Sequence, residues 1–284
     1  AEYGADFAKL DSCGGTLANG TESWYNQYGR WSDAMNATGV DIVFSCSWAV
    51  YFTLCAAKFP PHEWEAQCGT LPWNDQYIAD KCHMWRYGSD LDPVWSRGAS
   101  DGMNGGGNGG VGDVINFASS IWANQWRSVT SVGAFNDPDF LVVGCPLDRP
   151  CEGFSQAGQI PLNLQEQQTQ FSMWCILNAP LIIGSDIRSI SKEALAILSQ
   201  KEAIAIQQDV CPNCQPRLVS GKVCYPSTAC PAKSANWIQI WARQLSDGDV
   251  AVAIVNMDNT TSLEAKLNLV DVVCAGCSQS VSAQ

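Results

Sequence analysis

The chain has 284 residues, enough for one large domain or two smaller ones. Sixteen Lys and Arg against 28 Asp and Glu leave a net charge of −12 and an isoelectric point near 4.4, which argues against nucleic acid and anionic membrane surfaces as partners. Fourteen cysteines point to an oxidising compartment, and no apolar run approaches the length of a membrane span.

In chain order, residues 7–10 are predicted to form a short buried strand that delivers Asp11 to its C-terminal end, before Gly14-Gly15 frees the chain. There Asp11 is either a cap for the next turn or a catalytic carboxylate of the kind that α/β barrels carry at strand ends. The spacing of apolar residues predicts a helix over 24–37, stopped by Gly39. A second strand runs over 41–46, and its end carries Ser47, Trp48 and Tyr51. A Cys- and Pro-bearing insertion follows over 55–68, then a short helix over 75–81 and a third strand over 84–87, with Asp90 and Asp92 behind it. Residues 98–110 are glycine-rich with GxGxxG-like spacing; no strand leads directly into them, so they read as a mobile surface loop. A helix over 111–126 and a fourth strand over 131–135 come next, the strand ending in Asn136-Asp137-Pro138-Asp139. A helix over 164–177, a fifth strand over 180–184 ending at Ser185-Asp186, and helices over 192–199 and 202–206 close this part.

Strand, polar end and helix thus alternate five times, which means a parallel sheet or barrel. Four strand ends bear an acid: Asp11, Asp90, Asp139 and Asp186. A barrel gathers such ends at one mouth, whereas a doubly wound sheet gathers ligands at one crevice. After residue 208 helical periodicity vanishes. Strand-like runs over 237–242, 250–255 and 263–270, with a tight turn at Ser246-Asp247-Gly248-Asp249, predict an antiparallel β domain over 209–284.

Several motifs then meet a known family. Phe7-Ala8-Lys9-Leu10-Asp11-Ser12-Cys13, Ile42 to Trp48, Trp85-Arg86-Tyr87-Gly88-Ser89-Asp90-Leu91, Asn136-Asp137-Pro138-Asp139-Phe140-Leu141-Val142-Val143-Gly144, Asn178-Ala179-Pro180-Leu181 and Ile204-Ala205-Ile206-Gln207-Gln208-Asp209 occur in this order. Together they resemble the α-galactosidase and α-N-acetylgalactosaminidase family of retaining glycoside hydrolases (glycoside hydrolase family 27). The resemblance implies a (β/α)8 TIM barrel over 1–208, beginning at barrel strand four with the N-terminal strands absent from this chain. An antiparallel β-sandwich-like C-terminal domain would follow.

By the same resemblance Asp11 is the nucleophile, and Asp90 is the general acid and then the base. Lys9, Arg86 and Asp139 contact the sugar, and the pair Ser47 and Val50 sets its identity. Glu and Leu at those two places suit galactose, while Ser and Ala admit N-acetylgalactosamine; Ser47 follows the second pattern, Val50 is intermediate in bulk, and Ala49 replaces a common Pro. Trp48 and Tyr51 are either core aromatics or a stacking wall for sugars. Arg86 has a structural ion pair as its alternative role. Asp137 is expected to brace the turn before Pro138, and Asp186 to cap the helix near Ser191. His62 and His83 read as structural, with no metal site, no cofactor and no nucleophile elbow for Ser-His-Asp chemistry.

The resemblance pairs Cys46 with Cys82. Cys55 with Cys68 and Cys145 with Cys151 are expected from proximity along the chain. Cys175 reads as a free core thiol, and Cys13 as matching a cysteine whose partner lies upstream of Ala1. Sequons at Asn19, Asn36 and Asn259 are candidate glycosylation sites.

The expected function is hydrolysis of terminal α-linked galactose or N-acetylgalactosamine through a glycosyl-enzyme intermediate, in a secreted or lysosome-like compartment. The partner would be a carbohydrate, with a further N-terminal segment or chain completing the barrel, or a larger extracellular assembly. The competing reading is a catalytically inactive, structural or glycan-binding component of such an assembly.

Overall fold

The structure is a computed structural model and describes residues 4–11, 24–56, 60–68, 76–88, 90–97, 109–119, 127–145, 160–212, 214–221, 237–258 and 261–273. Four short strands, β1 (Phe7–Leu10), β2 (Val43–Cys46), β3 (Met84–Arg86) and β4 (Phe135–Asp137), form a parallel sheet in that order. Helices α1 (Trp24–Asn36), α2 (Trp48–Ala56), α3 (Trp64–Cys68), α4 (Tyr77–Lys81) and α5 (Val111–Ala118) alternate with them. Consecutive parallel strands need crossovers of this kind, and the arrangement is a stretch of the expected barrel wall; among the described residues the sheet does not close. β1 differs from the buried strand that its sequence predicts. It pairs only with β2, and Phe7 is 43% exposed, because one edge and one face of the strand have no cover among the described residues.

The helix-facing side of the sheet is apolar. Phe44, Cys46 and Trp85 pack with Tyr28 of α1, Phe52 of α2, Ile78 of α4 and Phe117 of α5. A disulfide joins Cys46 to Cys82 (Cα–Cα 6.1 Å), tying the end of β2 to the residue two before β3. A second joins Cys55 to Cys68 (Cα–Cα 5.7 Å), fastening α2 to α3. Both helices went unread in the sequence, where this stretch is an insertion: α2 is apolar on all sides and carries no helical stripe. Gly39 lies at φ +68°, the left-handed geometry of a helix stop, and Gly39 N–H bonds back to the carbonyl of Asn36. His83 is structural: its Nδ1 accepts from Phe44 N–H at 2.9 Å.

After β4 the chain leaves strand geometry although it is apolar. Helix α6 (Leu164–Ile176) holds it there with side-chain amides. Gln170 accepts from Val142 N–H (3.0 Å) and donates to the Phe140 carbonyl (3.0 Å), while Gln167 accepts from Gly144 N–H (2.9 Å). The helix starts with a capping box in which Asn163 and Glu166 each accept from the other's backbone N–H. The fifth strand expected over 180–184 is reduced to a single parallel bridge between Leu141 and Ile183, since the N–H groups of Val142 and Gly144 are spent on α6. The ending of the glycine-rich stretch also differs from a surface loop. Gly109 and Gly110 are buried, Gly109 bridges to Leu91, and a Cβ on Gly110 would meet the Trp95 carbonyl at 2.6 Å. Residues 98–108 lie outside the described residues.

Helices α7 (Lys192–Leu198) and α8 (Lys201–Gln207) lead to an antiparallel sheet of β5 (Arg217–Ser220), β6 (Ile238–Gln244) and β7 (Val250–Asn256). β5 went unread, and the strand expected over 263–270 is absent. Residues 261–268 are largely exposed, so alternation there has nothing to bury against, and Asn268 accepts from Val270 N–H to start helix α9 (Leu269–Val273). Trp241, Val255 and Met257 join Val114, Trp174 and Leu141 in one core, so the β sheet and the helices of the parallel sheet share their interior. Cys211 is bridged to Cys214, Cys145 is disulfide-bonded, and Cys175 is a buried free thiol. Cys13 and Cys151 lie outside the described residues.

Arg243, 1% exposed, clasps this junction by donating to the carbonyls of Ile206 (2.5 Å), Asp209 (2.9 Å) and Cys214 (3.4 Å). Arg243→Met leaves those carbonyls without their charged donor and is expected to cost about 3 kcal/mol in urea unfolding. A loss below about 1 kcal/mol would show that the clasp contributes little.

Candidate active site

The strand register assembles the site. Leu10 pairs with Cys46, Cys46 with Trp85, and Arg86 with Asp137. One step beyond the first two pairs come Asp11 and Ser47, level with Arg86 and Asp137. Neighbours at one level of a sheet share a face, and this row lies opposite the helix-packed row of Cys46 and Trp85. Lys9, two residues before Asp11, belongs to the same face. The C-terminal ends of four consecutive parallel strands therefore bring Lys9, Asp11, Ser47, Arg86 and Asp137 together, with Asp90 and Asp139 on the segments that follow.

Asp11 is exposed, and the carbonyl just before it is doubly held. Leu10 O accepts from Ser47 N–H (3.2 Å) and from the Tyr28 hydroxyl (3.1 Å). The Tyr51 hydroxyl, from the first turns of α2, donates to the Asp11 carboxylate. Ser47 and Val50 are buried at 3% and 8% exposure.

Arg86 is the charged centre. Its side chain is 4% exposed and reaches Asp139 Oδ2 at 2.9 Å, Asp90 Oδ1 at 3.3 Å and the Gly88 carbonyl at 3.1 Å. Burial works to lower its pKa, but the charges of Asp139, Asp137 and Asp90 outweigh burial and raise it, so the guanidinium stays charged. Asp139 sits at φ +90°, a strained position for a residue with a side chain, and every feature around it holds it there. Its Oδ2 also accepts from Leu91 N–H (2.8 Å), its Oδ1 from Phe140 N–H (2.8 Å), and its carbonyl from the Trp174 indole (2.8 Å). Asp137 braces the turn by accepting from Asp139 N–H at 2.8 Å. Asp90 projects from the wall with its side chain 74% exposed. Asp11, Asp90, Asp137 and Asp139 face two cations, Lys9 and Arg86, so the mouth is net negative when these carboxyls are ionised.

Trp48 stands apart from these groups. It is 2% exposed, stacks on Tyr28 (6.4 Å) and meets Tyr77 edge-on (6.1 Å), so it is a core aromatic rather than an open wall for a sugar ring. Asp186 pairs with Arg188 and accepts from its N–H, closing its own turn; the cap of α7 is Ser191, which accepts from Ala194 N–H. Asn36 is exposed at the end of α1, while Asn19 and Asn259 lie outside the described residues. Among the described residues no group of three or more His, Cys, Asp or Glu is arranged to hold a metal ion, and no helix is long and apolar enough to cross a membrane. Sequence reasoning missed Phe140, whose ring faces the Lys9 ammonium, and the supports from Tyr28 and Trp174. Phe140 had a signal, its place directly after Asp139; the other two depend on helix packing.

Residues 1–209 match the family described as Alpha galactosidase A, and residues 235–283 match the Alpha galactosidase C-terminal beta sandwich domain. The Alpha-galactosidase A of Homo sapiens is 29% identical over 258 residues, which cover 90% of this chain and 46% of that protein. The Alpha-N-acetylgalactosaminidase of Rattus norvegicus is 27% identical over 267 residues, covering 93% and 49%. The solved structure of an α-galactosidase from Saccharomyces cerevisiae with raffinose superposes with a TM-score of 0.60 at 22% identity, covering 90% of this chain and 49% of that one, and supports the fold. The chain spans about half the length of the curated relatives it matches.

Burial, the largest influence on Asp137, raises its carboxyl above the ordinary 3.8 against the opposing charge of Arg86. The folded protein therefore holds this proton more tightly than the unfolded chain does. The contribution favours folding in acid and is lost as pH climbs from about 3.8 through the raised native value. Asp137→Asn keeps an acceptor for Asp139 N–H and removes the titration. Urea unfolding between pH 4 and 7 should show the parent losing stability relative to the variant as pH rises; parallel profiles would refute the assignment.

Proposed function

The chain belongs to the alpha-galactosidase A family, and we propose that its protein is a retaining exo-glycosidase acting on terminal α-linked galactose or N-acetylgalactosamine. The observation that carries this reading is the row of Asp11, Arg86 and Asp137, with Lys9, on one face of adjacent parallel strand ends. A glycosidic bond breaks through an oxocarbenium-like state that is positive at the anomeric carbon, and a net negative mouth favours that charge.

Asp11 is the nucleophile in this proposal. Its carboxylate is oriented by the Tyr51 hydroxyl and by the doubly held Leu10 carbonyl, and it attacks the anomeric carbon. Asp90, directed by Arg86, gives its proton to the leaving oxygen and afterwards takes one from the water that releases the sugar. Retention needs these carboxyls about 5–5.5 Å apart. Their strands lie two spacings apart, about 10 Å, so the side chains must lean inward across β2. Lys9 and Arg86 hold sugar hydroxyls. Asp139, with most of its lone pairs engaged, fixes Arg86 and offers what remains. Ser47 and Val50 form the subsite that meets the sugar's 2-substituent. The catalytic part would span 1–208 and the β domain 209–284. The cysteine content and the exposed sequon at Asn36 support a secreted or lysosome-like setting.

Asp11→Asn in the full-length protein should abolish turnover of an aryl α-galactoside while the circular dichroism spectrum stays that of the parent; full activity in the variant would sink the reading. Ser47→Glu with Val50→Leu should shift the ratio of kcat/KM values toward α-galactoside and away from α-N-acetylgalactosaminide by about 10- to 100-fold. Both substrates are read on one protein, so an unchanged ratio counts against this subsite whatever the variant's overall activity.

A further inference from the structure

We propose that Phe140 is a positioning residue for Lys9, holding the ammonium over its ring face at the mouth of the site. The Lys9 Nζ lies 5.6 Å from the Phe140 ring centroid, within the range over which an aromatic face attracts a cation. Lys9 is an exposed side chain with a long flexible stem on a sheet edge, so its own strand does little to hold its head group. Phe140 is held at both backbone polar atoms and by a close neighbour at its side chain. Its N–H donates to Asp139 Oδ1 (2.8 Å) and its carbonyl accepts from Gln170 (3.0 Å). Its side chain lies so close to Gly184 that a Cβ there would come within 2.9 Å of the Phe140 Cβ. The rigid segment that fixes Arg86 thus also fixes the second cation.

The choice of an aromatic partner matters chemically. A carboxylate holding Lys9 would accept its N–H groups and neutralise it. A ring face attracts the charge without a lone pair to compete, leaving donors for hydroxyl oxygens. The same position places the ammonium where Asp137 feels it. The contact itself stands on geometry, while its consequence for sugar binding rests on the glycosidase reading above.

The test compares the full-length parent with Phe140→Leu, which removes the ring, and Phe140→Tyr, which keeps one. In NMR of lysine-labelled protein, the Lys9 side-chain methylene signals should be shifted upfield by the ring in the parent and in Phe140→Tyr, and return to ordinary positions in Phe140→Leu. For aryl α-galactoside hydrolysis, Phe140→Leu should raise KM about 2- to 5-fold with kcat little changed, and Phe140→Tyr should restore it. Identical Lys9 shifts in parent and Phe140→Leu would overturn the contact. Equal KM values, or equal losses in the Leu and Tyr variants, would overturn the positioning role. A parent that shows the shifted Lys9 signal but turns over no glycoside sinks the glycosidase reading and leaves the contact standing.

Discussion

A buried guanidinium organises this molecule. Arg86 lies almost out of water at the end of β3, and a charge in that place persists only with opposite charge and hydrogen bonds around it. Asp139 supplies the close partner, and the neighbourhood bends to deliver it. Pro138 stiffens the turn, Asp137 ties it, Asp139 accepts a left-handed backbone, and the Trp174 indole pins its carbonyl from α6. The strain at Asp139 is sustained by contacts from three elements, which suits a position whose geometry must not relax.

The segment behind Asp139 extends the same constraint. Residues 140–144 are apolar enough for a strand, yet the Phe140 carbonyl and the N–H groups of Val142 and Gly144 are taken by Gln170 and Gln167 of α6, and only Leu141 keeps a strand-like bridge, to Ile183. Side-chain amides can hold a backbone in a shape that strands cannot take, and here that shape presents Phe140 to Lys9. Helix α6 in turn packs on Trp241 and Val255 of the antiparallel sheet. The antiparallel sheet therefore buttresses the helix that pins Asp139, the partner of Arg86.

Much of this was legible along the chain. The helix over 24–36, its stop at Gly39, the first three parallel strands and the helices after residue 160 each carry a local signal: periodicity, a cap or a left-handed glycine; the fourth strand, expected over 131–135, lies instead at Phe135–Asp137, because Ser131 and Ala134 close a turn on each other. Asp11, Arg86, Asp90, Asp137 and Asp139 were readable because motif and strand end coincide. Other parts carried no local signal. α2 is apolar on every side, so no stripe marks it as a helix. The stretch over 263–270 alternates like a strand but pairs with no strand among the described residues. Trp48 reads as a strand-end aromatic, yet the start of α2 turns it into the core between Tyr28 and Tyr77.

By itself the sequence determined which residue types stand at which strand ends, the acidic balance and the alternation that yields a parallel sheet. These follow from local propensity and composition, which act within a few residues. Only the tertiary structure decided the register that sets Asp11, Ser47, Arg86 and Asp137 level, the burial that raises Asp137, and the partnership of Lys9 with Phe140, 131 positions along. Those depend on distances between segments remote in the chain, which no local pattern encodes.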